Sequence, residues 1–110
     1  MPAERITADE LHRLLKQPNP PLVIDVRSRE KYEAGHVPGA VHIPAAQLEI
    51  ALADLPKDRP IVTYCGGGTS GPRAAEFLLE HGFYARVMAG FRSWEQAGLP
   101  VETGGGDQPR

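Results

Sequence analysis

Two short runs, "PLVIDV" (residues 21–26) and "RPIVTYC" (59–65), limit the fold more than any other feature of the chain. Both are β-branched and apolar, both are entered from proline, and neither alternates apolar with polar residues as a strand with one wet face does. Runs of this kind read as strands covered on both faces, the usual setting of a parallel sheet. "AVHI" and "YARVM" are further candidate strands.

Helical patterns fall between them. "ITADELHRLLKQPNPP" opens with Thr7 and Glu10 at capping-box spacing, places Ala8, Leu11, Leu14 and Leu15 on one face, and stops before Pro18. "SREKYEAG" suits a short helix closed by Gly35. In "AAQLEIALADLP", Leu48, Leu52 and Leu55 share a helical face until Pro56 ends it. "PRAAEFLLEHG" has Pro72 at the expected first helical position and Gly82 as the C-cap. "FRSWEQAG" gives a last short helix carrying Trp94. Strands alternating with helices imply an α/β sandwich with a mostly parallel central sheet and right-handed crossovers. No internal repeat is visible.

With 110 residues, the chain is expected to form one domain over residues 1–103, with a disordered tail at 104–110. Its 41% hydrophobic and 24% charged residues are ordinary for a globular protein. A formal charge of −2, from 12 basic and 14 acidic residues with no basic stripe, gives no reason to expect nucleic acid or an anionic membrane as partner. No apolar run approaches the roughly 18 residues of a membrane span, and "MPAERITADE" is not patterned as a signal peptide, so the expected location is cytoplasmic. The single cysteine excludes an internal disulfide and a C-x-x-C pair. The four histidines are accompanied by one cysteine and no C-x₂-C pair, and neither metal nor cofactor is expected.

That cysteine, Cys65, ends the second buried strand and begins "CGGGTSGPR". In open α/β sheets ligands bind beyond the C-terminal ends of the strands, which puts the thiol at the expected active edge. Glycines reach positive φ, so Gly66, Gly67, Gly68, Thr69, Ser70 and Gly71 can fold with their N–H groups inward as an anion-binding nest, beside the positive end of the next helix. A free thiol with a pKa of about 8.5 is mostly protonated at neutral pH, and such surroundings can lower a cysteine to roughly 3.5–7.5. Bare amides also leave room for a second sulfur on Cys65, a persulfide. With no Lys or Arg in the loop before Arg73, stabilisation of charge is expected mainly from peptide dipoles. The plainer reading is a small buried hydrophobe followed by a flexible turn.

The ordered motifs "VIDVRSREKYEAGHVPGAVHIP", "IVTYCGGGTSGPRAAEFLLEHGF" and "VMAGFRSWEQAGLPV" resemble the rhodanese family, specifically single-domain sulfurtransferases, from about Ile6 to Val101. The resemblance implies a rhodanese-like three-layer α/β/α sandwich. It also implies sulfur transfer by double displacement, in which Cys65 takes a sulfane sulfur from thiosulfate, mercaptopyruvate or a protein persulfide. The persulfide then yields it to cyanide or a thiol, protein thiols included. The chain departs from the family pattern C-x-x-G-x-R-S: Gly68 is retained, but Ser70 stands at the arginine and Gly71 at the serine. Ala89 replaces the first glycine of a usual Gly-Gly pair. These departures admit two alternatives, a non-catalytic binding or regulatory module and a thiol redox sensor. A phosphatase or arsenate reductase loop needs C-x₅-R, and that arginine position is Gly71.

Four more residues have competing readings. Asp25 and Arg27 match the family's D-x-R, where the arginine either binds a donor anion or joins a network tying the strand to its neighbours. His36 is a conceivable base, but an ionised cysteine needs none, which favours a structural role in a turn. Arg73 either reaches the pocket mouth or pairs with Glu76. Phe91 and Trp94 read as packing residues.

Overall fold

The computed structural model describes residues 2–66 and 70–104. Five strands form one all-parallel sheet: β1 (Glu4–Ile6), β2 (Leu22–Asp25), β3 (Val41–His42), β4 (Ile61–Tyr64) and β5 (Ala85–Met88), in the order β1-β5-β4-β2-β3. The helices are α1 (Ala8–Leu15), α2 (Arg29–Ala34), α3 (Leu48–Ala51), α4 (Ser70–Glu80) and α5 (Phe91–Gln96).

Strand periodicity sorts the core into two layers. Val23, Val62, Tyr64 and Met88 face one way and pack with Leu11 of α1 and with Phe91 and Trp94 of α5. Ile24, Ile61, Cys65, Ala85 and Val87 face the other way and pack with Leu48 of α3 and Ala74, Ala75 and Leu78 of α4. Helices therefore cover both faces, as the buried, β-branched strands require. Fully burying a Val, Ile or Leu side chain stabilises the fold by about 1.5–3 kcal/mol, and Val23, Ile24, Ile61 and Val62 of the central strands β2 and β4 are all buried in this way.

Several local expectations are met in detail. Thr7 caps α1 through the Glu10 N–H (3.0 Å), and the Glu10 carboxylate accepts from the Thr7 N–H (2.8 Å). Ser28 caps α2. Gly82, with φ of 89°, turns the chain after α4 in a conformation that a side chain would strain.

Three others are corrected. Strand β1 was not expected; it has three residues, of which only Ile6 is buried, too little pattern to read. The segment 45–55 is not one helix but a short α3 between two 3₁₀ turns, Ala45–Gln47 and Leu52–Asp54, closed by i+3 bonds such as Leu55 N–H to Leu52 O. Helix α4 starts at Ser70, two residues before the expected Pro72. Proline is tolerated there because first-turn N–H groups have no intrahelical partner.

Beyond α5 the chain returns to the body. His36 and Glu102 exchange backbone hydrogen bonds (2.8 and 3.0 Å), and the Gly104 N–H donates to Glu33 O (2.7 Å). Gly104 is thus tied down at the start of the expected tail; residues 105–110 lie outside the described ones. Among the described residues, no helix is long and apolar enough to cross a membrane.

Candidate active site

The strand order determines where a ligand fits. From β2 the chain turns toward the β3 edge, and from β4 toward β5, so the C-terminal ends of these adjacent strands open a crevice between them. A cleft of about 700 Å³ lies there. Val26, Arg27 and Ser28 line it after β2, Cys65, Gly66 and Ser70 after β4, with Lys31 from α2 and Arg92 from α5. Among the described residues, no carboxylate lines it.

Cys65 is 5% exposed, its side chain set among the apolar residues under α4 while still lining the cleft. Its carbonyl accepts from the Phe91 N–H at 2.7 Å, which fastens the end of β4 to the start of α5. On the other side, Thr63 Oγ1 donates to Gly71 O at 2.8 Å, drawing the first turn of α4 onto the strand. Glycine is needed for that approach: a Cβ on residue 71 would stand 3.1 Å from Cys65 N and 3.4 Å from its Sγ. The positive end of α4 is therefore packed directly beside the sulfur. Gly67, Gly68 and Thr69, expected in the nest, lie outside the described residues.

Asp25 and Arg27 form one network. Asp25, fully buried, accepts from the Arg27 N–H (2.9 Å), from Arg27 Nε (3.0 Å) and Nη2 (2.7 Å), and from the Tyr64 hydroxyl (2.8 Å). Arg27 Nη2 also donates to Gly35 O (2.6 Å), and the guanidinium lies 4.4 Å from the Phe91 ring centre. The Tyr64 oxygen accepts from the Val37 N–H at 3.1 Å. Burial pushes the Tyr64 phenol well above its ordinary range, with the Asp25 charge adding to it, so the group stays a donor. Burial works against the Arg27 cation, but the hydrogen bonds and charge of Asp25 outweigh it and hold its pKa above the usual value.

Of the remaining sequence candidates, His36 is buried away from the cleft. Its Nδ1 sits 2.7 Å from Tyr32 O, its ring stacks on Tyr32, and its Nε2 is 3.6 Å from Glu102. Arg73 is exposed on α4, outside the cleft lining, and forms no ion pair with Glu76. The expectation that charge near the sulfur comes mainly from peptide dipoles overlooked Lys31 and Arg92. Both are exposed helix residues whose only sequence signal is position: each follows a strand's C-terminal end by a few residues. Among the described residues, no group of three or more His, Cys, Asp or Glu is placed to hold a metal ion.

Residues 7–97 match the model of the rhodanese-like domain. The chain is 41% identical over 106 residues to an HTH-type transcriptional regulator of Mycobacterium tuberculosis; the match takes in 94% of this chain and 46% of the regulator, so it spans about half of that relative's length. It is 30% identical over 99 residues to a sulfurtransferase of Allochromatium vinosum, covering 87% of this chain and 92% of that protein. The crystal structure of a rhodanese-like domain protein from Staphylococcus aureus superposes with a TM-score of 0.80 at 30% identity, over 91% of this chain and 99% of the other. With its all-parallel sheet, its cysteine at the end of β4 and a family match over most of its length, the chain belongs to the rhodanese-like domain family.

Proposed function

We propose that this chain is a sulfurtransferase that carries sulfane sulfur on Cys65. One observation carries the reading: the only thiol of the chain stands on a cleft whose charged side chains, Arg27, Lys31 and Arg92, are all cationic. Such a cleft attracts an anionic donor and disfavours none of its charge. Because Arg27 is already neutralised by Asp25, Lys31 and Arg92 supply the net positive field.

In the proposed cycle the Cys65 thiolate attacks the outer sulfur of thiosulfate. A Cys65 S–S bond forms, the donor's S–S bond breaks, and sulfite departs with the bonding pair. A protein persulfide serves in the same way, its S–S bond breaking to release a thiolate; with mercaptopyruvate the C–S bond breaks instead, and the enolate that leaves with the bonding pair takes a proton, from the donor's own thiol or from water, to become pyruvate. An acceptor such as cyanide or a thiolate then takes the sulfane sulfur and restores the Cys65 thiolate, giving ping-pong kinetics. The Gly66–Gly71 segment and the start of α4 act as receptor for the anionic sulfur, and Gly71 keeps the space beside it clear.

A second reading is supported by the resemblance to the transcriptional regulator: here the domain is a regulatory module whose thiol is a redox sensor. Intact mass measurement after incubation with thiosulfate, 3-mercaptopyruvate or a persulfidated protein separates the two. The sulfurtransferase gains one sulfur atom, lost on reduction and absent in Cys65→Ser. No added sulfur with any donor, together with oxidation of Cys65 by peroxide, transfers the assignment to the sensor.

A further inference from the structure

A second cavity, of about 420 Å³, lies at the opposite end of the sheet from Cys65. Leu22 opens β2, Arg59 precedes β4, and Pro38 and Gly39 precede β3; because the strands are parallel, these residues mark the end away from the thiol. Its walls are Pro20, Pro21, Pro38 and Pro100, with Trp94 and Leu15. Prolines have fixed φ and no N–H to satisfy, so these walls are apolar and rigid before anything binds. The volume falls within the range of small-molecule sites, about 300–1,000 Å³.

The polar groups there are unbalanced. Three carbonyl acceptors there are engaged by the protein's own donors: Pro20 O and Pro21 O by Arg59 Nε (3.0 Å) and Nη2 (3.5 Å), and Pro100 O by Trp94 Nε1 (2.6 Å). The Gly39 N–H donates to Glu102 (3.1 Å), a carboxylate outside the lining that also stands 3.6 Å from His36 Nε2. The cations have donors to spare. Arg59 carries five N–H groups and uses two, and the Lys16 ammonium bonds no described residue. His12 is the remaining basic group, edge-on to Trp94 at 5.7 Å, and among the described residues no acidic side chain is part of the lining.

A preformed cavity with proline walls, surplus cationic donors and no acidic side chain among its described lining residues is complementary to an apolar chain ending in an anion. We propose that this cavity is a second ligand site, separate from the Cys65 cleft, for a small apolar carboxylate, with the chain against Leu15 and the prolines, above the buried Trp94, and the carboxylate on Lys16 and Arg59. The site is independent of any sulfur chemistry at Cys65.

Trp94 is the only tryptophan; it is fully buried between the core and this cavity and bonded to Pro100 O, so its emission reads a change transmitted through the cavity floor. Titrating the full chain with hexanoate, octanoate and decanoate is expected to change that emission saturably, the affinity rising about threefold per added methylene until the cavity is full. Octanol is expected to bind about tenfold more weakly than octanoate. Arg59→Ala weakens octanoate about fivefold; because it also removes the bonds to Pro20 and Pro21, Lys16→Gln serves as the variant that disturbs no packing, with a similar loss. Thiosulfate at matched ionic strength leaves the titration unchanged. The proposal is overturned by any of four results: no saturable change in Trp94 emission or in the amide resonances of Leu15, Lys16 and Gly39, equal binding of octanol and octanoate, a Lys16→Gln variant that binds as the parent does, or displacement by thiosulfate.

Discussion

The loop after β2 is fastened by side chains. Asp25 holds the Arg27 backbone and guanidinium and the Tyr64 hydroxyl, while Arg27 reaches on to Gly35 O. In the segment after β4, the side chains of Cys65 and Ser70 make no hydrogen bond among the described residues, and what ties this segment down is main-chain carbonyl: Cys65 O to Phe91 and Gly71 O to Thr63. The difference separates two tasks at one cleft. A buried network whose charges neutralise each other makes a stiff wall, whereas a segment poor in side chains leaves amides and space for a ligand.

Breaking the stiff wall is expected to have the largest effect. Asp25→Ala leaves the largely buried Arg27 guanidinium without its carboxylate, and removing one partner of a buried pair costs about 3–5 kcal/mol. Urea denaturation reads this as a lower midpoint; a loss below about 1 kcal/mol would show that the loop is held by something else.

Tyr64→Phe tests the same wall more gently. It removes one hydrogen bond to Asp25 and strands the Val37 N–H, a loss of about 1–2 kcal/mol. Its pH dependence has a definite sign. Folding raises the phenol's pKa above the ordinary 10.0, so its stabilisation is complete below that pH and fades as pH rises from there toward the folded-state value. The gap between parent and variant should stay level from pH 6 to 9 and narrow above about pH 10. A gap already narrowing near neutrality would contradict the network as described.

The smallest effect on stability, and the sharpest contrast, is expected from the paired change Lys31→Ala and Arg92→Ala. Both residues are exposed, so the stability change stays within about 0.5 kcal/mol. The rate of thiosulfate-dependent sulfur loading on Cys65 should nonetheless fall about fivefold or more, and the deficit should shrink as salt screens the field. An unchanged rate at low ionic strength would mean that the bare segment needs no cations from its neighbours.

How much of this was legible depended on whether the signal was local. Strands β2 and β4 announced themselves because both faces are buried and every position is constrained, and α1 because Thr7 and Glu10 sit at the spacing that lets each satisfy the other's N–H. The site's location followed from Cys65 ending a strand. What could not be read were encounters between distant segments. Lys31 and Arg92 look like solvated helix residues until the strand order brings the ends of β2 and β4 together with α5 behind them. Strand β1 went unseen for the opposite reason, its pairing with β5 being held by backbone rather than by a side-chain pattern. The 3₁₀ turns around α3 reflect hydrogen-bond closure at short segments, to which leucine spacing is blind.

In β4 neighbouring positions belong to opposite sides of the sheet: the Tyr64 hydroxyl serves the Asp25 network while the Cys65 sulfur rests under α4. A single residue inserted or deleted inside this strand would exchange the two, sending the thiol into the Trp94 layer and the phenol toward the cleft. This stretch is thus open to substitution but closed to change of length, and the position of the reactive atom is a matter of parity before it is a matter of chemistry.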